Sequence, residues 1–241
     1  MTYTMNDEQP GGWKRTPGDE IRPVVTSGQA SGDTVVGRAH ARLVNAGKQF
    51  SDYLDQVEAE HANYTPEGLA AQVARFRESD AAKGVATAEQ EVAQLVEQAQ
   101  QRVDGIRTGL SPQGNTADEL RAGRYWDRTK AVLDNQSDQG KLAAAAQQAI
   151  SNADRAELGT LLQELPSYAS ARGASSAWLD PLLARVVPEY GAAQQHLVKA
   201  KQAKLITNDN VRRLREGFRK GHSPHVPLVD PSRYDPERSD H

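Results

Sequence analysis

The residues best suited to chemistry are thinly spread. The histidines stand at His40, His61, His196, His222, His225 and His241, and only His222 and His225 are close in sequence, as His-Ser-Pro-His. A zinc site needs three or four converging ligands. This pair offers two, beside a proline in a tail, and no third ligand is evident. His61, at the end of an apolar stripe, reads as a terminal polar residue rather than a ligand. The chain has no cysteine, which excludes disulfides, thiolate zinc sites and a cysteine nucleophile. No glycine-rich phosphate loop, zincin helix motif, nucleophile elbow or paired-aspartate signature occurs. The expectation is therefore no catalytic, cofactor-binding or metal-binding residue, and no enzyme.

One stretch does carry a recognisable potential. Between residues 199 and 220, Lys199, Lys201, Lys204, Arg212, Arg213, Arg215, Arg219 and Lys220 face only Asp209 and Glu216. At helical spacing Arg212, Arg215 and Arg219 share one face, while Val211, Leu214 and Phe218 share the adjacent one. A basic amphipathic helix of this kind docks on acidic protein surfaces, on nucleic-acid phosphates or on anionic membranes. The basic residues and Phe218 are the candidate partner-binding residues. The plain alternative is a solvated C-terminal helix held down by its three apolar residues. Tyr125-Trp126-Asp127-Arg128 reads as a core anchor beside a surface ion pair, with a binding patch as the alternative.

The elements that would position this helix follow from periodicity. From Val36 to His61 apolar residues return at steps of three and four, through Leu43, Phe50 and Val57, as a coiled-coil seam requires. Asp33 or Thr34 caps the start. After Tyr64, Thr65 caps a second helix with Pro66 at its first position, and the stripe continues from Leu69 through Phe76 to Leu110. It falters between Asp80 and Gly84, which marks a bend or stutter. Residues 33–110 are predicted to be a long antiparallel hairpin with one apolar seam, too narrow to be satisfied alone. Residues 111–190 read as a small bundle of short helices. Thr116 to Glu119 form its first capping box, Pro166 stops the helix after Leu165, and Asp180-Pro181 open another. Residues 191–220 give C-terminal helices with Tyr190, Leu197 and Leu205 inward and Thr207 capping the last. Residues 1–32 read as a disordered arm, with Trp13 and the run Ile21 to Val25 as its docking candidates. Residues 221–241 read as a non-helical proline-rich tail. The fold class is all-α with disordered termini.

Composition agrees with thin helical assemblies. In 241 residues, 37% are hydrophobic and 5% aromatic, and alanine supplies much of the apolar content. A net charge of −3 gives no bulk preference for a partner. The polar N-terminus is not a signal peptide, and no apolar run approaches the roughly 20 residues of a membrane span. The expected location is cytoplasmic.

The seam from Val36 to Leu110, together with the arginine-bearing helix from Asn208 to Lys220, resembles the layout of tailed-bacteriophage scaffolding and head structural proteins. The resemblance implies that the coiled-coil part self-associates into a homo-oligomer. It also implies that the basic helix binds a coat-like head protein, in host cytoplasm or virion. The segment 116–190, with Trp126 and Trp178, departs from this pattern in being more globular than a scaffold rod needs, which leaves room for a head or neck component that stays in the particle. A nucleic-acid-associated helical module using the same basic helix is the alternative.

Overall fold

The computed structural model describes residues 3–5, 13–15, 33–111, 114–222 and 227–238. The protein is all-α, as its periodicity predicts. The one exception among the described residues is a short antiparallel ladder in which β1 (Tyr3–Met5) pairs with β2 (Trp13–Arg15). These two strands fall within the arm that precedes the first helix. The rest of the arm, including Ile21 to Val25, lies outside the described residues. Among the described residues there are eight α-helices, and the chain divides into two units, Met1–Glu97 with Val198–His241, and Gln98–Leu197. The predicted boundaries at 110, 190 and 220 do not coincide with this division. It falls inside two long helices, each of which contributes a segment to both units.

In the first unit Thr34 caps α1 (Val35–Ala59), its hydroxyl accepting from the Gly37 amide at 3.0 Å. The predicted stripe of Val36, Ala39, Leu43, Ala46, Phe50 and Leu54 is buried. Thr65 caps α2 (Pro66–Arg75), its hydroxyl accepting from the Gly68 amide, with Pro66 at the first turn. The helix predicted to run from Pro66 to Leu110 is not continuous. It breaks at a 3₁₀ turn, Phe76–Glu78, and an extended Ser79, before α3 (Asp80–Leu110) begins. Two local forces explain the break. Phe76 turns into the core, and the Ser79 hydroxyl accepts from the Ala82 amide at 3.2 Å, offering the chain a new cap. Asp80 to Gly84, where the stripe falters, is regular helix.

The last helix, α8, spans Pro188–Lys220 without interruption. Thr207 is therefore a helix-interior residue and not a cap. It is buried on the stripe that runs through Ala200, Ala203, Asn210, Val211, Leu214 and Phe218. Leu205, expected to face inward, lies off that stripe and is exposed. All three phenylalanines of the chain meet in the first unit. The Phe50, Phe76 and Phe218 ring centroids lie 4.8 to 5.0 Å apart, tilted or edge-to-face.

The C-terminal segment is non-helical apart from a 3₁₀ turn at Ser232–Tyr234, as its prolines predict, but residues 227–238 are docked rather than disordered. Asn210 grips Val229 from both sides, donating to its carbonyl at 2.7 Å and accepting from its amide at 2.9 Å. Leu228 packs on the phenylalanine core. Helix α1 has no acid of its own in the first turn. The tail supplies one: Glu237 accepts from the Val35 amide at 2.9 Å, and Asp235 accepts from the Thr34 hydroxyl. Carboxylates at a helix N-terminus satisfy free amides and oppose the dipole.

The second unit contains α4 (Thr116–Asp134), α5 (Gln139–Asn152), α6 (Arg155–Ala171) and α7 (Leu179–Val186), with the end of α3 and the start of α8. Its core holds Leu133, Ile150, Leu161, Leu183 and Tyr190. The cap of α4 is Asn115, one residue before the predicted box, because its side chain accepts from the Asp118 amide at 2.9 Å. Asp154 and Glu157 form a reciprocal capping box on α6. Pro166 does not stop that helix. The turn beyond it is anchored by buried Ala169 and by Tyr168, whose hydroxyl donates to Asp134 at 2.7 Å. Asp180 and Pro181 lie within the first turn of α7, whose cap position is Trp178. Gly159 brings α6 against the end of α3, where the Leu110 carbonyl oxygen lies 1.8 Å from the position a Cβ would occupy.

Candidate functional interface

The predicted partner-binding residues all lie on α8 within the first unit, and the structure sorts them. Phe218 is withdrawn from any interface. It is 4% exposed and built into the phenylalanine core, which corrects its assignment as a partner contact. The sequence pattern placed it on an apolar face. That face packs intramolecularly because α1 and α3 present the complementary stripes.

Much of the basic charge is also engaged inside the chain. Arg212 and Arg213 both pair with Asp209, one turn back, at 2.5 and 2.6 Å. Hydrogen bonds from Arg212 first and Arg213 second hold the Asp209 carboxyl below the usual carboxylate range. Arg215 reaches Glu89 of α3 at 2.7 Å, and Lys220 reaches Glu216 at 2.6 Å, which lowers the Glu216 carboxyl. The Arg213 Nη1 is buried without a hydrogen-bond partner, so this guanidinium is turned inward. The Arg219 backbone carbonyl accepts from Arg77 at 3.2 Å. Such paired charges still present a mixed polar surface, but they carry less attraction for a polyanion than the sequence count implies.

What remains outward on α8 is a face the sequence reading missed. Val198 and Leu205 are 56% and 63% exposed, seven residues apart and so on one side of the helix. Exposed Lys201, Gln202 and Arg212 surround them. Lys199 and Lys204 sit half-buried beside this face. The signal was present in the sequence. Leu205 falls out of step with the Ala203, Thr207 and Val211 positions once α8 is taken as one continuous helix.

The other chemistry-bearing residues do not converge. His61 is exposed, its Nδ1 2.8 Å from the Glu58 carbonyl. His225 lies outside the described residues. Among the described residues no group of three or more histidines and acids could hold a metal ion, and no helix is long and apolar enough to cross a membrane. A shallow open depression of about 550 Å³ is lined by Gln49, Asp52, Tyr53, Gln56, Arg75, Phe76, Glu78 and Ser79. The Tyr53 hydroxyl there donates to the Gln72 carbonyl at 2.7 Å. The lining brings together no nucleophile–base pair of the kind group transfer requires. Trp126 is half-buried, edge-on to Tyr168 with centroids 5.7 Å apart, and Arg172 lies over the Tyr168 ring. Trp126 is thus an anchor, while Asp127 and Arg128 are exposed beside it.

No family model, curated protein or solved structure matches the chain.

Proposed function

We propose that this protein is a non-enzymatic assembly protein that self-associates and uses the outward face of α8 to dock a partner helix of acidic character. In the resemblance to phage scaffolding and head proteins, that partner is a coat-like protein. The observation that carries the reading is the pair Val198 and Leu205, a heptad apart and solvent-facing within a basic surround. Apolar residues at i and i+7 are what an amphipathic partner helix seats against, and Lys201 and Lys204 beside them favour an acidic one. The location that follows is the host cytoplasm or the virion.

A duplex nucleic acid is the competing partner. It gains nothing from Val198 and Leu205, and the intramolecular pairs of Arg213, Arg215 and Lys220 weaken its main attraction.

The test compares the intact chain with Leu205→Glu and Lys201→Glu, using a coat protein of a tailed bacteriophage as ligand in calorimetry. Both substitutions fall at exposed positions, and circular dichroism checks that each variant keeps the helical fold. Coat binding that both variants weaken supports the reading. Wild-type coat binding with both variants retaining full affinity moves the contact off this face. Binding to a DNA duplex with a steep salt dependence, and none to coat, selects the competing partner. Sedimentation as a compact monomer across concentrations removes the assembly role.

A further inference from the structure

Helix α4 is the most weakly covered helix of the second unit. Of its nineteen residues only Leu133 is buried, and Leu120 is 57% exposed. Its inner face is set by Leu133 with half-buried Ala122, Tyr125, Trp126 and Thr129. The opposite face runs through Ala117, Leu120, Arg124, Asp127, Ala131 and Asp134, at alternating steps of three and four, and all six are exposed. That spacing is the heptad spacing of a coiled-coil seam.

The charges on α4 divide in an informative way. Arg121 pairs with Asp118 at 3.0 Å, and Lys130 pairs with Asp134 at 2.8 Å. Asp134 also accepts from Tyr168, and its carboxyl is held low by Lys130 first and Tyr168 second. Arg124 and Asp127 form no ion pair with another described residue, although both sit in the middle of the outward seam.

We propose that this seam is the contact between two copies of the chain, packed as an antiparallel helix pair about a two-fold axis. The axis passes the midpoint between Tyr125 and Trp126. The pairing follows from the order of residues alone. Turning a second copy end for end about that midpoint sets Arg124 opposite Asp127 twice, and Leu120 opposite Ala131 twice. These are the layers that antiparallel heptad packing brings together. Leu120 meets the smaller Ala131 in two layers, opposite charges meet in the two inner layers, and the outermost layers set Ala117 beside Asp134, whose carboxylate is held by Lys130 and Tyr168 of its own chain. A parallel pairing would stack Arg124 on Arg124 and Asp127 on Asp127, so the charge pattern also selects the direction. An isologous contact of this kind is self-complementary by symmetry. One flank opposes it. In this register Arg128 comes beside Arg121 of the second copy, and both cations are solvent-exposed. The proposed contact rests on the assembly role and names the surface through which copies meet.

Charge reversal in a symmetric pair makes a decisive experiment. Arg124→Asp and Asp127→Arg are made separately in the full chain, and self-association is followed by sedimentation equilibrium. Circular dichroism is expected to match wild type, since both positions are exposed. Each variant alone sets like charges face to face twice, and its self-association weakens at least about tenfold. Mixing the two variants one to one restores every opposite pair, so a mixed dimer forms at wild-type strength. Arg128→Glu, by relieving the flanking repulsion, tightens the wild-type dimer.

If the wild type associates but both single reversals associate equally well, the contact lies elsewhere and the assembly role survives. Single variants that weaken without rescue on mixing overturn the two-fold register. A wild type that stays monomeric through the concentration range overturns both the contact and the assembly role.

Discussion

The ring of Phe50 on α1 meets the ring of Phe218 on α8 edge-on, with centroids 4.8 Å apart. The contact joins the early part of the chain to its end and closes the core of the first unit. Its consequence is that Phe218, attractive as a docking residue from the sequence, is a stability residue. Truncation to Ala leaves a cavity between Phe50 and Phe76 and is expected to cost about 3–5 kcal/mol. Urea unfolding measures this. A Phe218→Ala loss below about 1 kcal/mol would mean the cluster is not packed as described. By contrast, Leu205→Ala at its exposed position is expected to change stability by less than about 0.5 kcal/mol. Removing residues 208–241 to probe the basic helix would therefore unfold the first unit and confuse binding with folding. Point substitutions on the outward face avoid this.

Gly159 makes a second prediction within the other unit. A Cβ there would lie 1.8 Å from the Leu110 carbonyl oxygen and 2.7 Å from its carbon. Helix α6 must retreat from the end of α3 to accept it. Gly159→Ala is expected to destabilise by about 1–3 kcal/mol or more, as overpacking of a close approach does. Gly105, in the helical interior of α3 with nothing within 4 Å of its would-be Cβ, supplies the contrast. Gly105→Ala is expected to stabilise by about 0.5–1 kcal/mol through helix propensity. Thermal melts of the two variants should therefore move in opposite directions, and a shift of both in the same direction refutes the close packing.

The docked tail gives a third. Asn210 is fully buried and satisfies both backbone groups of Val229. Asn210→Ala leaves those groups without a partner and is expected to loosen residues 227–238 by about 1–3 kcal/mol. The readout is local. Exposed Arg233 sits inside the docked segment, so tryptic cleavage after it should accelerate while the helical core stays resistant. Asn208→Ala, at an exposed position two residues away, should leave cleavage unchanged. Equal cleavage in all three proteins would show that Asn210 does not hold the tail.

These cases mark what the sequence could and could not disclose. Periodicity identified the buried stripes of α1 and α3 because each residue type in them has one environment it tolerates. Thr34, Thr65 and Pro66 announced helix starts through short-range hydrogen bonding and a fixed φ, which need no tertiary context. The errors fall where tertiary contacts overrode local rules. Pro166 continues a helix because Tyr168 and Ala169 are anchored beyond it. Thr207 caps nothing because the stripe on either side of it packs as one. Ser79 ends a helix that periodicity would have continued. The docking of Leu228, Asp235 and Glu237 depends on partners some two hundred residues away, beyond the reach of any local signal. At the interface, the arginines of α8 were legible as charge, but the Glu89 partner of Arg215 is a long-range pairing. Conversely Val198 and Leu205 stand out as one exposed face once α8 is read as a single continuous helix.

His40 carries the last prediction. It is almost fully buried on α1, its Nδ1 has no hydrogen-bond partner, and Asp230 of the docked tail is the charged group that acts on it. Burial lowers its pKa below the ordinary 6.5, and the attraction of Asp230 offsets only part of that. On acidification the unfolded chain therefore takes up this proton before the folded chain does. Stability contributed by neutral His40 is complete well above pH 6.5. It declines as pH falls through 6.5 and levels off only below the folded-state value. Urea midpoints taken between about pH 7.5 and 5.5, where histidines dominate titration, should thus fall toward the acid end. His40→Gln, which cannot titrate, should flatten that slope. Asp230→Asn removes the one stabilising charge, pushes the His40 pKa lower still, and should steepen the decline. An acid slope that survives in His40→Gln would assign the pH dependence to other groups.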